Sequence, residues 1–456
     1  MSVVFKNTPS PGTQKRIPLL AEPDLDRVFA RRGEREIRVA EFLADVGTLA
    51  ATLPEANHAL NLCTQRYRFL VAFCAAAVAN QTTLLPPSRA PKLLAEMVRA
   101  YPHHYALVDE DEAPPVARTL DVRAALRTTY CSPIAADASI AADQIVAIGF
   151  TSGSTGASKT NRKTWGGFCA SSARNHLALG DLGGTANILA TVPPQHMFGM
   201  ELSVLLPLRS SMAIEDAQPL LPADVAATLA AMPAPRVLVT TPFHLRALVE
   251  SGVMLPPLAT IVTATAPLSV ELAAAVEQRF ATRVTELFGS TETCVIAQRR
   301  TALAAAWTLY EGVELHSQPD GTLVEAAYFS EPTVLQDIVE LLPGRQFHLR
   351  GRSSDLLDIA GKRASLADLT RRLTAIEGVV DGVVFQLDAG ENAACDRGVR
   401  RLAALVVAPT LNEAQILDAL RASIDPVFLP RPLRRVAALP RNAAGKLPRE
   451  ALLAAL

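Results

Sequence analysis

A chain of 456 residues is longer than one ordinary hydrophobic core serves, so two or more domains are expected. A formal net charge of −1 and the lack of a long basic run exclude a nucleic-acid binder that works by bulk electrostatics. Hydrophobic residues make up 49% of the chain, much of it alanine, yet the longest uninterrupted apolar run, Phe69 to Ala79, is far short of a membrane span of ~20 residues. That run reads as a buried helix.

In chain order, the stretch from Met1 to Pro9 lacks the charged and apolar regions of a secretory signal, so a cytoplasmic location is expected. Cys63, Cys74, Cys131, Cys169, Cys294 and Cys395 form no C-x-x-C pair and read as buried free thiols. The proline-rich segment 84–91 reads as a loop, and His103-His104 as surface loop.

From there, β-branched apolar runs alternate with alanine- and leucine-rich helical stretches, the pattern of an α/β protein with mostly parallel sheets flanked by helices. Strands are expected at 145–150, 187–192, 236–240, 259–264 and 283–288, with helices at 222–231 and 269–280, the latter opened by Ser269 with Glu271 in its first turn. A polar, glycine-punctuated segment, 344–355, precedes a small α+β unit. Ser365 can cap a helix with Leu366, Leu369, Leu373 and Ile376 on one face; strands at 382–387 and 402–408, a helix near 412–424 and the tail 439–449 follow. The expected division is a large domain of residues 1–350 and a small one of 351–456.

Directly after the strand at 145–150 stand Thr151, Ser152, Gly153, Ser154, Thr155, Gly156 and, beyond Ala157 and Ser158, Lys159. Glycines let backbone N–H groups approach an anion, hydroxyls add donors and lysine adds charge, so this is the composition of a polyphosphate cradle. A Walker loop needs its lysine immediately after the last glycine, which Lys159 is not. A solvated Ser/Gly linker is the bland alternative, and linkers rarely continue a strand without a break.

Four separated motifs require one explanation: this loop; Phe288-Gly289-Ser290-Thr291-Glu292; Gly351-Arg352-Ser353-Ser354-Asp355 with Gly361 and Arg363; and Gly445-Lys446. In this order they resemble the adenylate-forming superfamily of acyl- and aryl-CoA ligases, peptide-synthetase adenylation domains and firefly-type luciferases. The resemblance implies that a carboxylate attacks the α-phosphate of ATP, with Mg2+ present, to give an acyl-adenylate that a thiol then attacks. It implies phosphate binding by Thr151 to Lys159, an α-phosphate hydrogen bond from Thr291, and Mg2+ held by Glu292.

It also implies a ribose contact from Asp337, a ribose or phosphate contact from Arg352, an adenine wall at Ala264-Thr265-Ala266, nucleotide binding at Phe288-Gly289, and Lys446 as the bridge between substrate carboxylate and α-phosphate; Gly289, Ala264, His196 and the Phe198 region are the expected walls of the acid pocket. Rotation of a mobile small domain between the half-reactions is implied too, although Ser354 stands where the family hinge is usually Asp or Lys, and Asp358 where many members carry lysine. Read singly, Glu292 could cap a helix, Asp337 could be a loop carboxylate, and Lys446 and Arg352 could be surface charges. His196 in Val192-Pro-Pro-Gln-His196 resembles the histidine beside the acyl pocket, with a packed core histidine as its rival.

Peptide-synthetase domains hold the α-amino group with an aspartate after this histidine, but Met197 to Ser203 contains none, which disfavours an amino-acid substrate. Lys163-Thr164-Trp165, the segment 80–87 and the short length resemble the small ligases of aryl-polyene and xanthomonadin-type pigments. That resemblance implies an aromatic acid such as a hydroxybenzoate, passed to the phosphopantetheine arm of an acyl carrier protein. Free CoA as acceptor, or a non-catalytic adenylate-binding relative, are the other readings.

Overall fold

Strands that are apolar on both faces need helices on both sides, and this requirement organises most of the chain into layered parallel sheets. The computed structural model describes residues 15–86, 89–111, 116, 118–127, 133–152, 158–182, 185–318, 321–352, 356–359, 362–387, 401–442 and 445–456. The chain divides into two compact units: Met1–Ala304 with Tyr310–Val313 and Ala326–Glu331, and Ala305–Leu309 with Glu314–Glu325 and Pro332–Leu456.

The first unit holds two sheets. In one, the parallel strands Thr82–Leu85, His58–Asn61, His104–Val108 and Thr119–Asp121 continue Ile145–Ser152, which is flanked by antiparallel Ser158–Thr164. The apolar run 69–79 lies mostly in helix Arg66–Val78, whose residues Phe69 to Ala77 are buried. Leu84 and Leu85, expected in a loop, are instead in a strand, because both are apolar and pair with Ile148 and Gly149; the prolines come only afterwards. His104 likewise opens a strand, with only exposed His103 left in the turn at φ +58°.

In the other sheet, Val284–Ser290, Thr260–Thr263, Arg236–Thr240, Asn187–Ala190, Ala213–Glu215 and Val28–Arg32 run parallel, with antiparallel neighbours Cys294–Arg299 and Arg35–Arg38. Leu189, Leu238, Ile261 and Val284 pack under Val225, Leu229, Leu245, Leu248, Ala273 and Val276. Helices Pro222–Ala231 and Val270–Phe280 therefore bury one stripe each, and Ser269 caps the second by accepting a hydrogen bond from the Leu272 N–H at 3.1 Å.

The second unit contains the antiparallel pair Asp337–Leu342 and Gln346–Arg352, beside Trp307–Leu309. Its α+β part pairs Asp381–Leu387 with Arg401–Val407 antiparallel, and the latter with Leu433–Arg435 in parallel. Leu369 and Leu373 of helix Leu366–Thr374 and Ile416 and Leu420 of helix Glu413–Arg421 cover one face; Leu452 and Leu439 pack on the other. Asn412 forms a capping box with Gln415. The Ser365 side chain, Ser354, Cys131 and Cys395 lie outside the described residues, while Cys63, Cys74, Cys169 and Cys294 are buried and free. Among the described residues no helix is long and apolar enough to cross a membrane.

Candidate active site

Strands Ile145–Ser152 and Ser158–Thr164 form an antiparallel hairpin with Lys159 opposite Thr151 and Ser158 opposite Ser152. Lys159 is exposed on the returning strand. Gly153, Ser154, Thr155 and Gly156 lie outside the described residues, as do the side chains of Thr151, Ser152 and Arg352. At the stem of this hairpin, Gly149 faces the second motif: a Cβ there would stand 2.8 Å from Thr291 Cγ2 and 3.5 Å from Met197 Cε. Only a glycine leaves room for Thr291 at that distance.

Thr291 and Glu292 sit in the turn between strands Val284–Ser290 and Cys294–Arg299. Ser290 Oγ accepts from the N–H groups of Glu292 and Thr293 at 3.1 and 3.2 Å, and Thr293 Oγ1 donates to Cys294 O at 2.8 Å. Phe288 and Glu292 are half-buried and Gly289 is exposed. A Cβ on Gly289 would lie 2.1 Å from Cys294 O, so the two strands approach too closely for any other residue. Cys294 itself adopts φ +62°, which marks a tight turn. Glu292 is thus not at a helix end, and the helix-cap reading of this carboxylate falls away.

His196 is half-buried and its backbone carbonyl accepts from Met200 N–H at 2.7 Å, starting the helical turn Met197–Gly199. Gly199 is required here because a Cβ would meet Pro193 O at 2.0 Å. A π-helix, Met200–Leu205, follows and turns Glu201 inward, where it is 1% exposed. Its carboxylate accepts from Ser171 Oγ at 2.5 Å, Asn175 Nδ2 at 3.1 Å and Val295 N–H at 3.0 Å. Burial pushes the Glu201 carboxyl up, opposed by these hydrogen bonds and by Lys163. Buried Arg66 braces the segment before His196, donating to Ala190 O at 2.8 Å, to Val192 O at 2.9 Å and to Ser203 Oγ; burial lowers its guanidinium to about 10.

The expected adenine wall begins where strand Thr260–Thr263 ends: Ala264 is buried, Ala266 half-buried, and exposed Thr265 adopts φ +81°. A β-branched residue at positive φ is strained. Thr265→Gly is expected to leave the melting temperature unchanged or raise it by a few degrees, a relief of about 1 kcal/mol offset in part by the entropy glycine loses. A fall of several degrees in a thermal melt would show that Thr265 is not strained.

In the second unit the register places Asp337 directly opposite Arg352. Asp337 is half-buried and its carbonyl accepts from Thr322 Oγ1 at 2.6 Å, which fixes the backbone that carries the carboxylate. Lys446 is exposed on a turn in which Asn442 Oδ1 accepts from Lys446 N–H at 2.9 Å and Asn442 N–H donates to Lys446 O at 2.8 Å, with Gly445 at φ +75°. Arg441 anchors that turn by pairing with Asp381 at 2.9 Å and donating to Gly445 O at 3.1 Å.

The structure brings Gly149, Thr291, Met197 and Cys294 together in the first unit and Asp337 with Arg352 in the second. Sequence reasoning passed over Gly149, Lys163, Glu201 and Glu286 as site residues. Each acts on a residue distant in sequence, so no local signal marks it.

A family model described as AMP-binding enzyme matches residues 43–318. The chain is 30% identical over 303 residues to a 4-coumarate-CoA ligase of Rhodobacter capsulatus, an alignment covering 65% of this chain and 73% of that protein. Its fold is similar to that of ATP-bound MatB from Rhodopseudomonas palustris, with TM-score 0.81, 19% identity and coverage of 94% of this chain and 96% of that one. It is also similar to the o-succinylbenzoate CoA synthetase MenE of Bacillus subtilis in complex with ATP and magnesium, with TM-score 0.80, 18% identity and coverage of 96% and 99%.

Proposed function

This chain belongs to the AMP-binding enzyme family of ATP-dependent, acyl-AMP-forming ligases, and from that premise we propose that it activates an aromatic, hydroxybenzoate-like carboxylic acid and passes it to the phosphopantetheine thiol of an acyl carrier protein. The observation that carries the choice of acid is the surroundings of the Thr291 turn. Cys294 Sγ lies 3.8 Å from Met197 Sδ beside Gly149, a polarisable sulfur wall suited to an aromatic ring. Glu201, in the segment Met197 to Ser203, is buried and accepts from three internal donors, so it is not presented to a substrate ammonium group. The 4-coumarate-CoA ligase relative favours an aromatic acid as well.

In the proposed reaction a carboxylate oxygen of the acid attacks the α-phosphorus of ATP and the bond to pyrophosphate breaks, leaving acyl-AMP. The thiol sulfur then attacks the acyl carbon and AMP departs. Thr151 to Lys159 hold the outer phosphates, Thr291 donates to the α-phosphate, and His196 closes the acyl side. Ala264, Thr265 and Ala266 lie against adenine, with Phe288 and Gly289 also on the nucleotide; Asp337 accepts from the ribose hydroxyls and Arg352 contacts ribose or phosphate. Glu292, a hard oxygen donor on a turn rich in hydroxyls, fits Mg2+, which when bound neutralises phosphate charge. Lys446 brings positive charge to two anions that must approach one another. The proposal places phosphate and acid binding in a core domain of residues 1–350 and this lysine in a smaller domain of residues 351–456.

Glu292→Ala is expected to raise the Mg2+ concentration needed for half-maximal activity by about tenfold or more and to leave the melting temperature within a few degrees. A large fall in melting temperature with unchanged Mg2+ dependence would make Glu292 structural. Free CoA is the second reading, favoured by the name of the 4-coumarate-CoA ligase relative. A mass-shift assay that offers holo carrier protein and CoA together with aromatic and aliphatic acids tests the proposal. Acylated carrier protein with an aromatic acid is expected, and acylation of CoA alone would overturn the carrier assignment.

A further inference from the structure

The turn that presents Thr291 and Glu292 is held at both ends by buried charges of opposite sign. Lys163, on the returning strand of the phosphate hairpin and 9% exposed, donates from Nζ to Glu292 O at 2.5 Å. On the far side of the turn, Val295 N–H donates to Glu201 Oε2 at 3.0 Å and Oε1 at 3.3 Å. Between these two anchors the backbone takes up the left-handed Cys294 conformation, so the turn is not at its local minimum and depends on what grips it.

A lysine buried in this way is costly unless its charge is used, and a point charge on a long stem suits a single carbonyl acceptor. Here it ties the backbone of one motif to the strand that carries another: Lys163 pairs across the hairpin with Ala147, two residues before Gly149, the residue that packs on Thr291. The Lys163 charge also favours the ionised form of the Glu201 carboxyl.

Resting on the adenylation reading above, we propose that Lys163 is a positioning residue that sets the direction of the Glu292 carboxylate by fixing the Glu292 carbonyl, with Glu201 as its counterpart at Val295. It touches neither acid nor nucleotide. Its effect on ATP runs through Glu292.

The test is a double-mutant cycle read by calorimetric titration of the intact chain with MgATP. Lys163→Met keeps the length of the side chain and removes the charge; it is expected to weaken MgATP binding by about tenfold in the wild-type background and less than about twofold in Glu292→Ala, because the group it positions is gone. Lys163→Arg, which can still donate to the carbonyl, is expected to recover part of the loss and keeps the test valid if Lys163→Met does not fold. An equal loss in both backgrounds, or no recovery by arginine, overturns the positioning role alone. A wild-type chain that binds no MgATP at all overturns the adenylation reading and this role with it.

Discussion

Lys446→Ala is expected to lower acid-dependent adenylation by about 10²- to 10³-fold, while thioester formation from a chemically prepared acyl-adenylate stays within a few-fold of wild type. Two anions, the substrate carboxylate and the α-phosphate, must come within bonding distance in the first half-reaction, whereas the second has a neutral acyl carbon as its target. A cation placed for the first task is not required for the second. The side chain is exposed and the turn that carries it is held through backbone atoms, by Asn442, Gly445 and the Arg441–Asp381 pair, so truncation leaves that brace intact. The melting temperature is therefore expected to move by less than about 2 °C. Pyrophosphate exchange and single-turnover thiol transfer measured side by side check this, and equal losses in both would show that Lys446 is not specific to adenylation.

Glu286→Ala is expected to have the largest effect on stability, about 3–5 kcal/mol, read as a fall in melting temperature on the order of 10 °C. Glu286 is 3% exposed and central to the parallel sheet. Its Oε2 accepts from Arg299 Nε at 2.7 Å and Thr301 Oγ1 at 2.5 Å, and Oε1 accepts from Leu268 N–H at 3.1 Å. Removing the carboxylate takes the Glu286 partner from a largely buried guanidinium and removes the acceptor that holds the Leu268 N–H beside the segment 264–268, the proposed adenine wall. Glu286→Gln keeps acceptor capacity for one or two of these donors and is expected to fall between wild type and alanine. Calorimetry or a thermal melt checks the series, and a shift below about 2 °C for alanine would show that the network contributes little.

Where period and punctuation act locally, the fold was legible. Helix Pro222–Ala231 and strand Arg236–Thr240 appear with the expected bounds, because proline opens the helix and a β-branched run fills the strand. Other ends were misjudged by tertiary effects. Leu84 and Leu85 join a sheet that their proline neighbours seemed to forbid, and the strand beginning at Ile145 continues through Thr151 and Ser152 because a partner strand pairs with them.

The site divides in the same way. Thr291, Glu292 and Lys446 stand on tight turns, as short polar runs with glycine nearby suggest. That Asp337 lies directly opposite Arg352 depends on the register of a hairpin with a bulge between Ile338 and Val339, which composition does not encode. Glu201 and Lys163 were invisible as partners because the residues they grip come from elsewhere in the chain, and a π-helix rather than an α-helix sets the direction of Glu201.

The central claim, that this chain forms acyl-adenylates from aromatic acids, is tested most directly by ATP–pyrophosphate exchange across a panel of aromatic and aliphatic carboxylic acids. Label is expected to enter ATP only when Mg2+ and an aromatic acid are both present, with hydroxybenzoates or hydroxycinnamates ahead of aliphatic and amino acids. Exchange with amino acids in preference to aromatic ones, or no acid-dependent exchange with any member of the panel, would contradict it.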